Sequence, residues 1–158
     1  MTLNMLIYMK NTLKHKIRAF LDTNITIDVL SSDYREHREA SRRIFQAIHN
    51  GELEGYLTTQ SILDAQYILS REKNFSMQKF SQMILYILSF VNVTQIDGLS
   101  IREALKNPTG DFEDDAQFAQ ADSEEFDIVV TSDRSFLARQ SADGPQILTP
   151  EGLIEKMS

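Results

Sequence analysis

The sequence predicts a three-layer α/β domain in which a mainly parallel sheet of about five strands lies between helices. Three observations lead there: five short runs rich in β-forming residues, helical patterns in the intervals between them, and a length suited to a single domain. The chain has 158 residues, of which 42% are hydrophobic and 25% charged. A domain of this size buries roughly 70% of the surface its unfolded chain exposes, enough for a core without staples. Strands that alternate with helices need right-handed crossovers and leave helices on both faces of the sheet.

Residues 1–15 match no element of this pattern and read as an N-terminal leader, so the domain occupies residues 16–158. Ile17–Leu21 reads as the first strand, and Asp22 follows it directly. From His37 to Asn50, Ala40, Ile44, Ala47 and Ile48 share one side of a helix that ends at Gly51. Gly55–Thr58 reads as the second strand, followed by helices over Ser61–Glu72 and Ser76–Phe90. Val91–Ile96 is the third strand, and Ile101–Lys106 a weaker helix closed by Asn107-Pro108. Asp111 is placed to cap a helix running to Glu125, and Phe126–Thr131 is the fourth strand. Gln146–Leu148 is the fifth, and Thr149 with Pro150 announces the last helix as N-cap and first helical residue.

The absence of cysteine excludes disulfides, thiolate zinc sites and thiol nucleophiles. Met83–Val93, the longest apolar stretch, is interrupted by Ser89 and Asn92, and falls well short of the roughly 20 residues a spanning helix needs. Met5–Met9 precedes Lys10, Lys14, Lys16 and Arg18, the reverse of a secretion signal, so a cytoplasmic location is expected. The net charge of −7 is not spread evenly, since residues 97–133 carry eleven acids against two cations. That segment reads either as a solvated acidic helix or as part of a divalent-metal site.

In open parallel sheets, ligands gather beyond the carboxyl ends of the strands. Asp22 and Asp133 each follow a strand, Asp64 comes early in the helix after the second strand, and Asp114 lies in the first turn of the helix opened by Asp111. Helix capping, turn formation and the helix dipole are the ordinary alternatives for these acids. Asp64 fits them least, because Ile62, Leu63, Ile68 and Leu69 around it suggest partial burial. Four ionised carboxylates about 5 Å apart would repel by about 3 kcal/mol per pair at an effective dielectric near 20, approaching 20 kcal/mol in all. Protons or divalent cations must relieve that, and oxygen ligands without imidazole or thiolate select Mg²⁺ or Mn²⁺.

Asp22-Thr-Asn24 after the first strand, an acid early in the helix after Gly55–Ser61, the run Asp111–Gln117 and Thr131-Ser-Asp133 resemble the PIN-domain family in order and spacing. The likeness covers roughly residues 17–155, and Leu148–Glu151 closes it. The resemblance implies a PIN-like α/β/α fold and a metal-dependent nuclease acting on single-stranded RNA. It also implies the toxin of a toxin-antitoxin pair, with an antitoxin as partner and a homodimer as the assembly. Its metal-site and catalytic acids would be Asp22, Asp64, Asp114 and Asp133, supported by Asn24, Thr131, Asp111 and Asp115. Asp64 stands where the family usually has Glu, one methylene longer, and Asp115 where it often has a small residue. Either Asp114 or Asp115 is then the inward acid. The implied reaction is in-line attack of water on phosphorus, leaving a 5′-phosphate and a 3′-hydroxyl.

Arg134 and Arg139, close to Asp133, are candidates to bind RNA phosphates, with ion pairing to nearby acids as the alternative. Arg35, Arg38, Arg42 and Arg43 read as surface charge, and Tyr67, Phe80, Tyr86 and Phe90 as core or subunit interface. Two rival functions remain. Asp22-Thr-Asn-Ile-Thr26 and Gly110-Asp111 with Asp115 approximate the motifs of haloacid-dehalogenase-like phosphatases, although Asn24 replaces an acid and no apolar strand precedes Gly110. The other rival is a catalytically silent PIN-fold module that binds RNA or protein.

Overall fold

The computed structural model describes residues 16–139 and 143–158; the leader expected at 1–15 lies outside the described residues. Five strands form one parallel sheet: β1 (Arg18–Leu21), β2 (Glu54–Thr58), β3 (Asn92–Thr94), β4 (Ile128–Val130) and β5 (Gln146–Leu148). Their order is β3-β2-β1-β4-β5, so β1 is central and pairs with both β2 and β4. Parallel strands buried on both faces require apolar residues at nearly every position. Ala19, Phe20 and Leu21 in β1 and Ile128, Val129 and Val130 in β4 are all essentially inaccessible.

Alternation along the strands divides these residues between two cores. Ala19, Leu21, Leu57, Ile128 and Val130 pack with Ile25 of α1 (Thr23–Leu30), Ile44 and Ile48 of α2 (Arg38–His49) and Leu153 of α8 (Pro150–Met157). On the other face Phe20, Val129 and Ile147 meet Ala121 of α6 (Phe112–Ser123) and Phe136 of α7 (Arg134–Leu137). A third cluster joins Ile27 of α1 to Ala65 and Leu69 of α3 (Thr59–Leu69) and to Phe80 and Ile84 of α4 (Met77–Ile87). The remaining helix among the described residues, α5 (Gly98–Lys106), packs against α6. Among the described residues, no helix is long and apolar enough to cross a membrane.

Local chemistry explains the element ends. Thr58, Ser76, Asp97, Asp111 and Thr149 each cap a helix by accepting a backbone N–H, as their residue types favour. Asp97 starts α5 three residues earlier than periodicity predicts, because its carboxylate accepts from the Ser100 N–H. Gly51 (φ 75°) ends α2, and Gly110 (φ 119°) turns the chain into Asp111 and α6. Arg35 and Arg38 are not free surface charges. Arg35 pairs with the buried Asp28 at 2.9 Å, and Arg38 donates to the Asp28 and Ser31 carbonyls, bracing the turn between α1 and α2. Ser41 completes the set by donating to Asp28 at 3.0 Å.

Candidate active site

Parallel strands bring the ends of β1, β2 and β4 to one edge of the sheet, and the predicted acids emerge there. The backbone N–H of Asp22 donates to the Val130 carbonyl at 3.0 Å, which fixes Asp22 at the junction of β1 and β4. Its Oδ1 accepts the Thr23 N–H at 2.6 Å, capping α1. Its Oδ2 accepts the Thr131 hydroxyl at 2.7 Å and, more weakly, the Asn24 amide at 3.4 Å. Thr131 also accepts the Asp133 N–H at 3.0 Å, so a single hydroxyl bridges the two strand ends.

The other acids are fixed by their own helices. Asp133 caps α7, accepting the Ser135 N–H at 2.7 Å and the Phe136 N–H at 3.2 Å. Asp111 caps α6 by accepting from the Glu113 and Asp114 N–H groups at 3.0 and 3.1 Å. Asp114 is buried and accepts the Ser135 hydroxyl at 3.2 Å. Asp64, half-buried on α3, accepts the Gln60 amide at 2.8 Å. Its neighbours Leu63 and Ile68 are exposed rather than packed around it.

Asp22, Asp64, Asp114 and Asp133 all line one cleft of about 320 Å³, together with Asn24, Asp111, Thr23, Glu113, Tyr67 and Ile68. Asp114 and Asp115 separate because consecutive helical residues point about 100° apart. Asp115 lines a different hollow, between α5 and α6, with Ala104, Phe118 and Arg139. There it accepts the Thr109 N–H and hydroxyl at 3.0 and 2.8 Å and pairs with Arg139. Arg139, whose side chain is 11% exposed, also donates to the Asp111 carbonyl, while Arg134 is exposed on α7 beside Asp133. Thr23, Tyr67, Ile68 and Glu113 line the cleft without having been site candidates from the sequence, Tyr67 and Ile68 because they are apolar-patterned helix residues. Glu113 was legible only as a first-turn helix acid, and the Thr23 hydroxyl carries no charge signal.

The electrostatics of the cleft are strained in one direction. Burial pushes the Asp22 carboxyl up to about 6, outweighing its hydrogen bonds from Thr131 and Thr23, with Asp114 and Glu113 adding repulsion. Desolvation, Asp111 and Asp133 raise Asp114 despite the Ser135 hydroxyl. Desolvation followed by Asp64, Asp111 and Asp114 raises Glu113. Asp133 is instead held below its usual range, chiefly by the Ser135 hydroxyl and the N–H groups of Phe136 and Ser135. Arg139, whose charge acts on Asp114 and Asp133, is already committed to Asp115.

This donor set fits a hard divalent cation: carboxylate oxygens in excess, those of Asp22, Glu113 and Asp114 raised by burial and then by repulsion from neighbouring acids, with no soft ligand. The buried Thr23 hydroxyl at the cleft also lacks a hydrogen-bond partner among the described residues, as a group awaiting a ligand would. The carboxylates ring the cleft rather than meet at a point, and among the described residues no three acids or histidines are gathered closely enough to hold an ion as they stand.

The PIN-domain family model matches residues 18–135, which include every acid of the cleft. The chain belongs to the PIN-domain family. Solved structures share the fold at low identity. PAE2754 of Pyrobaculum aerophilum is 18% identical with a TM-score of 0.59, over 89% of this chain and 95% of that one. VapC20 of Mycobacterium tuberculosis, a sarcin-ricin loop cleaving toxin, is 14% identical with a TM-score of 0.60, over 76% and 93%. A toxin-antitoxin complex from Klebsiella pneumoniae gives 16% and 0.58, over 84% and 97%. No curated protein matches the chain. The phosphatase motif fares differently from the PIN pattern, since its last acid, Asp115, faces Arg139 outside the cleft.

Proposed function

We propose that this PIN domain is a Mg²⁺- or Mn²⁺-dependent endoribonuclease that hydrolyses phosphodiester bonds of single-stranded RNA in the cytoplasm. The observation that carries the reading is that Asp22, Asp64, Asp114 and Asp133, from four separate segments, line one cleft whose lining includes no cation. These four acids would hold the cation, with Asp111 backing Asp114 through its cap. When bound, the ion neutralises the phosphate and supplies an activated water.

The chain's own residues prepare the site. Thr131 and Asn24 orient the Asp22 carboxylate, and Thr131 ties it to the Asp133 segment. Ser135 links Asp114 on α6 to the start of α7. Arg134, exposed beside Asp133, would meet an RNA phosphate from the solvent side. Arg139 and Asp115 serve from behind, bracing the first turn of α6.

The toxin and toxin-antitoxin structures that share the fold support a toxin role with an antitoxin partner. Exposed Leu63 and Tyr67 on α3, and Leu85 and Tyr86 on α4, support a homodimer through these helices. The deciding experiment incubates purified protein with single-stranded RNA and Mg²⁺ or Mn²⁺. Cleavage by wild type and none by Asp22→Asn is expected. Equal cleavage by both, or equal cleavage with and without chelator, rules the reading out. Turnover of a small phosphomonoester would favour a phosphatase, and metal-independent RNA binding without cleavage a silent module.

A further inference from the structure

Gln117 lies one turn beyond Glu113 on α6 and is 2% exposed. Its Nε2 donates to the Glu113 carboxylate at 3.1 Å, while its Oε1 is buried with no partner among the described residues. A buried primary amide with an unused acceptor is a poor way to fill space, because an aliphatic side chain would do so without losing hydration.

The next turn of α6 shows what a wholly structural glutamine looks like here. Gln120, 3% exposed, donates to Glu124 at 2.6 Å at the end of its own helix and accepts the Asp97 N–H at 2.8 Å, so both ends of its amide are used and the acceptor end ties α6 to the start of α5. Gln117 makes no such tie. Its bond in the structure goes to a solvent-exposed carboxylate at the rim of the cleft, giving a long side chain a buried anchor. Glu113 lines that cleft with the four predicted acids. A separate orphan belongs to the cleft itself: Thr23, 6% exposed, lines it with its hydroxyl unpartnered among the described residues.

We propose that Gln117 is a positioning residue that holds Glu113 at the cleft as a further carboxylate for the divalent cation. This rests on the metal-dependent reading above, and it assigns Glu113 a part in cation binding through its charge. The two residues act as one unit, Glu113 supplying the charge and Gln117 its placement.

The test titrates Mn²⁺ calorimetrically into the full chain as wild type, Glu113→Gln, Gln117→Leu and the double variant, after circular dichroism confirms that each is folded. Each single variant is expected to bind about tenfold more weakly, the loss typical when a supporting partner of a metal ligand is removed. The double variant should bind no more weakly than the weaker single. Wild-type affinity in Glu113→Gln overturns the proposal, as does a double variant whose loss is the product of the two single losses. If Gln117→Leu does not fold, Gln117→Met takes its place, and Glu113→Gln alone still overturns the proposal by binding as tightly as wild type. Absence of Mn²⁺ binding by the wild type would overturn the metal-dependent reading itself, whereas tight wild-type binding with unaffected variants sinks this proposal alone.

Discussion

The Thr131 hydroxyl donates to the Asp22 carboxylate at 2.7 Å, joining residues 109 positions apart in the chain but neighbours at the ends of the paired strands β1 and β4. Both are buried, and Thr131 simultaneously accepts the Asp133 N–H. Thr131→Val keeps the shape but removes both bonds. At neutral pH without metal the variant is expected to lose about 1–3 kcal/mol in urea unfolding, because a buried carboxylate and a backbone N–H lose a partner. A loss no larger at pH 7.5 than at pH 5, where Asp22 takes up its proton, would show that the carboxylate does not depend on this hydroxyl.

Asp22 also makes the stability of the metal-free protein depend on pH. Its pKa rises from 3.8 to about 6 on folding, so the folded state holds the proton more tightly than the unfolded state. That contribution is complete below about 3.8 and disappears as pH rises through about 6. The shift corresponds to about 3 kcal/mol overall, with about 1 kcal/mol regained on going from pH 8 to pH 5. Relative to Asp22→Asn, which does not titrate, the wild type should gain that amount in unfolding experiments across this interval. An unchanged difference between the two proteins contradicts the assignment.

Asp115 and Arg139 form a buried pair on the other side of α6, with side chains 3% and 11% exposed. Desolvation works against the Asp115 carboxylate, but the Thr109 N–H and hydroxyl and the Arg139 guanidinium hold it below its usual range. Removing one partner of such a pair leaves a stranded charge, so Arg139→Met should cost about 3 kcal/mol in urea unfolding. Asp115→Asn combined with Arg139→Met should recover part of that, since no uncompensated charge remains. A role confined to RNA contact predicts instead a folded, fully stable Arg139→Met protein with weakened RNA binding.

The sequence announced the fold well because each level agreed: β-forming runs, cap residues such as Asp111 and Thr149, and helix-ending Gly51 all fall at element boundaries. Asp22, Asp64, Asp114 and Asp133 were legible because strand ends of a parallel sheet share one edge. What period and spacing could not convey was orientation. Asp114 and Asp115 are equal as letters, and only the packing of α6 sends one to the cleft and the other to Arg139. Arg35 and Arg38 look like surface cations until the buried Asp28 is found beneath them. Gln117 carried no charge signal, although its spacing of four from Glu113 is that of a helical pair.

The apolar residues that α3 and α4 leave in solvent bear on assembly. Leu63 is 63% and Leu85 70% exposed, beside Tyr67 and Tyr86, while the inner faces of the same helices pack Ala65, Leu69, Phe80 and Ile84 into a core with Ile27. Both charge variants, Leu63→Glu and Leu85→Glu, therefore leave the monomer's own packing intact and test only what covers the outer face. If these helices form the homodimer proposed above, the wild type should sediment as a dimer and the double variant as a monomer. Their unfolding curves should coincide once the protein is dilute enough to dissociate, because mass action alone then separates them. A wild type that remains monomeric at high concentration, or a double variant that still dimerises, assigns this face to another partner.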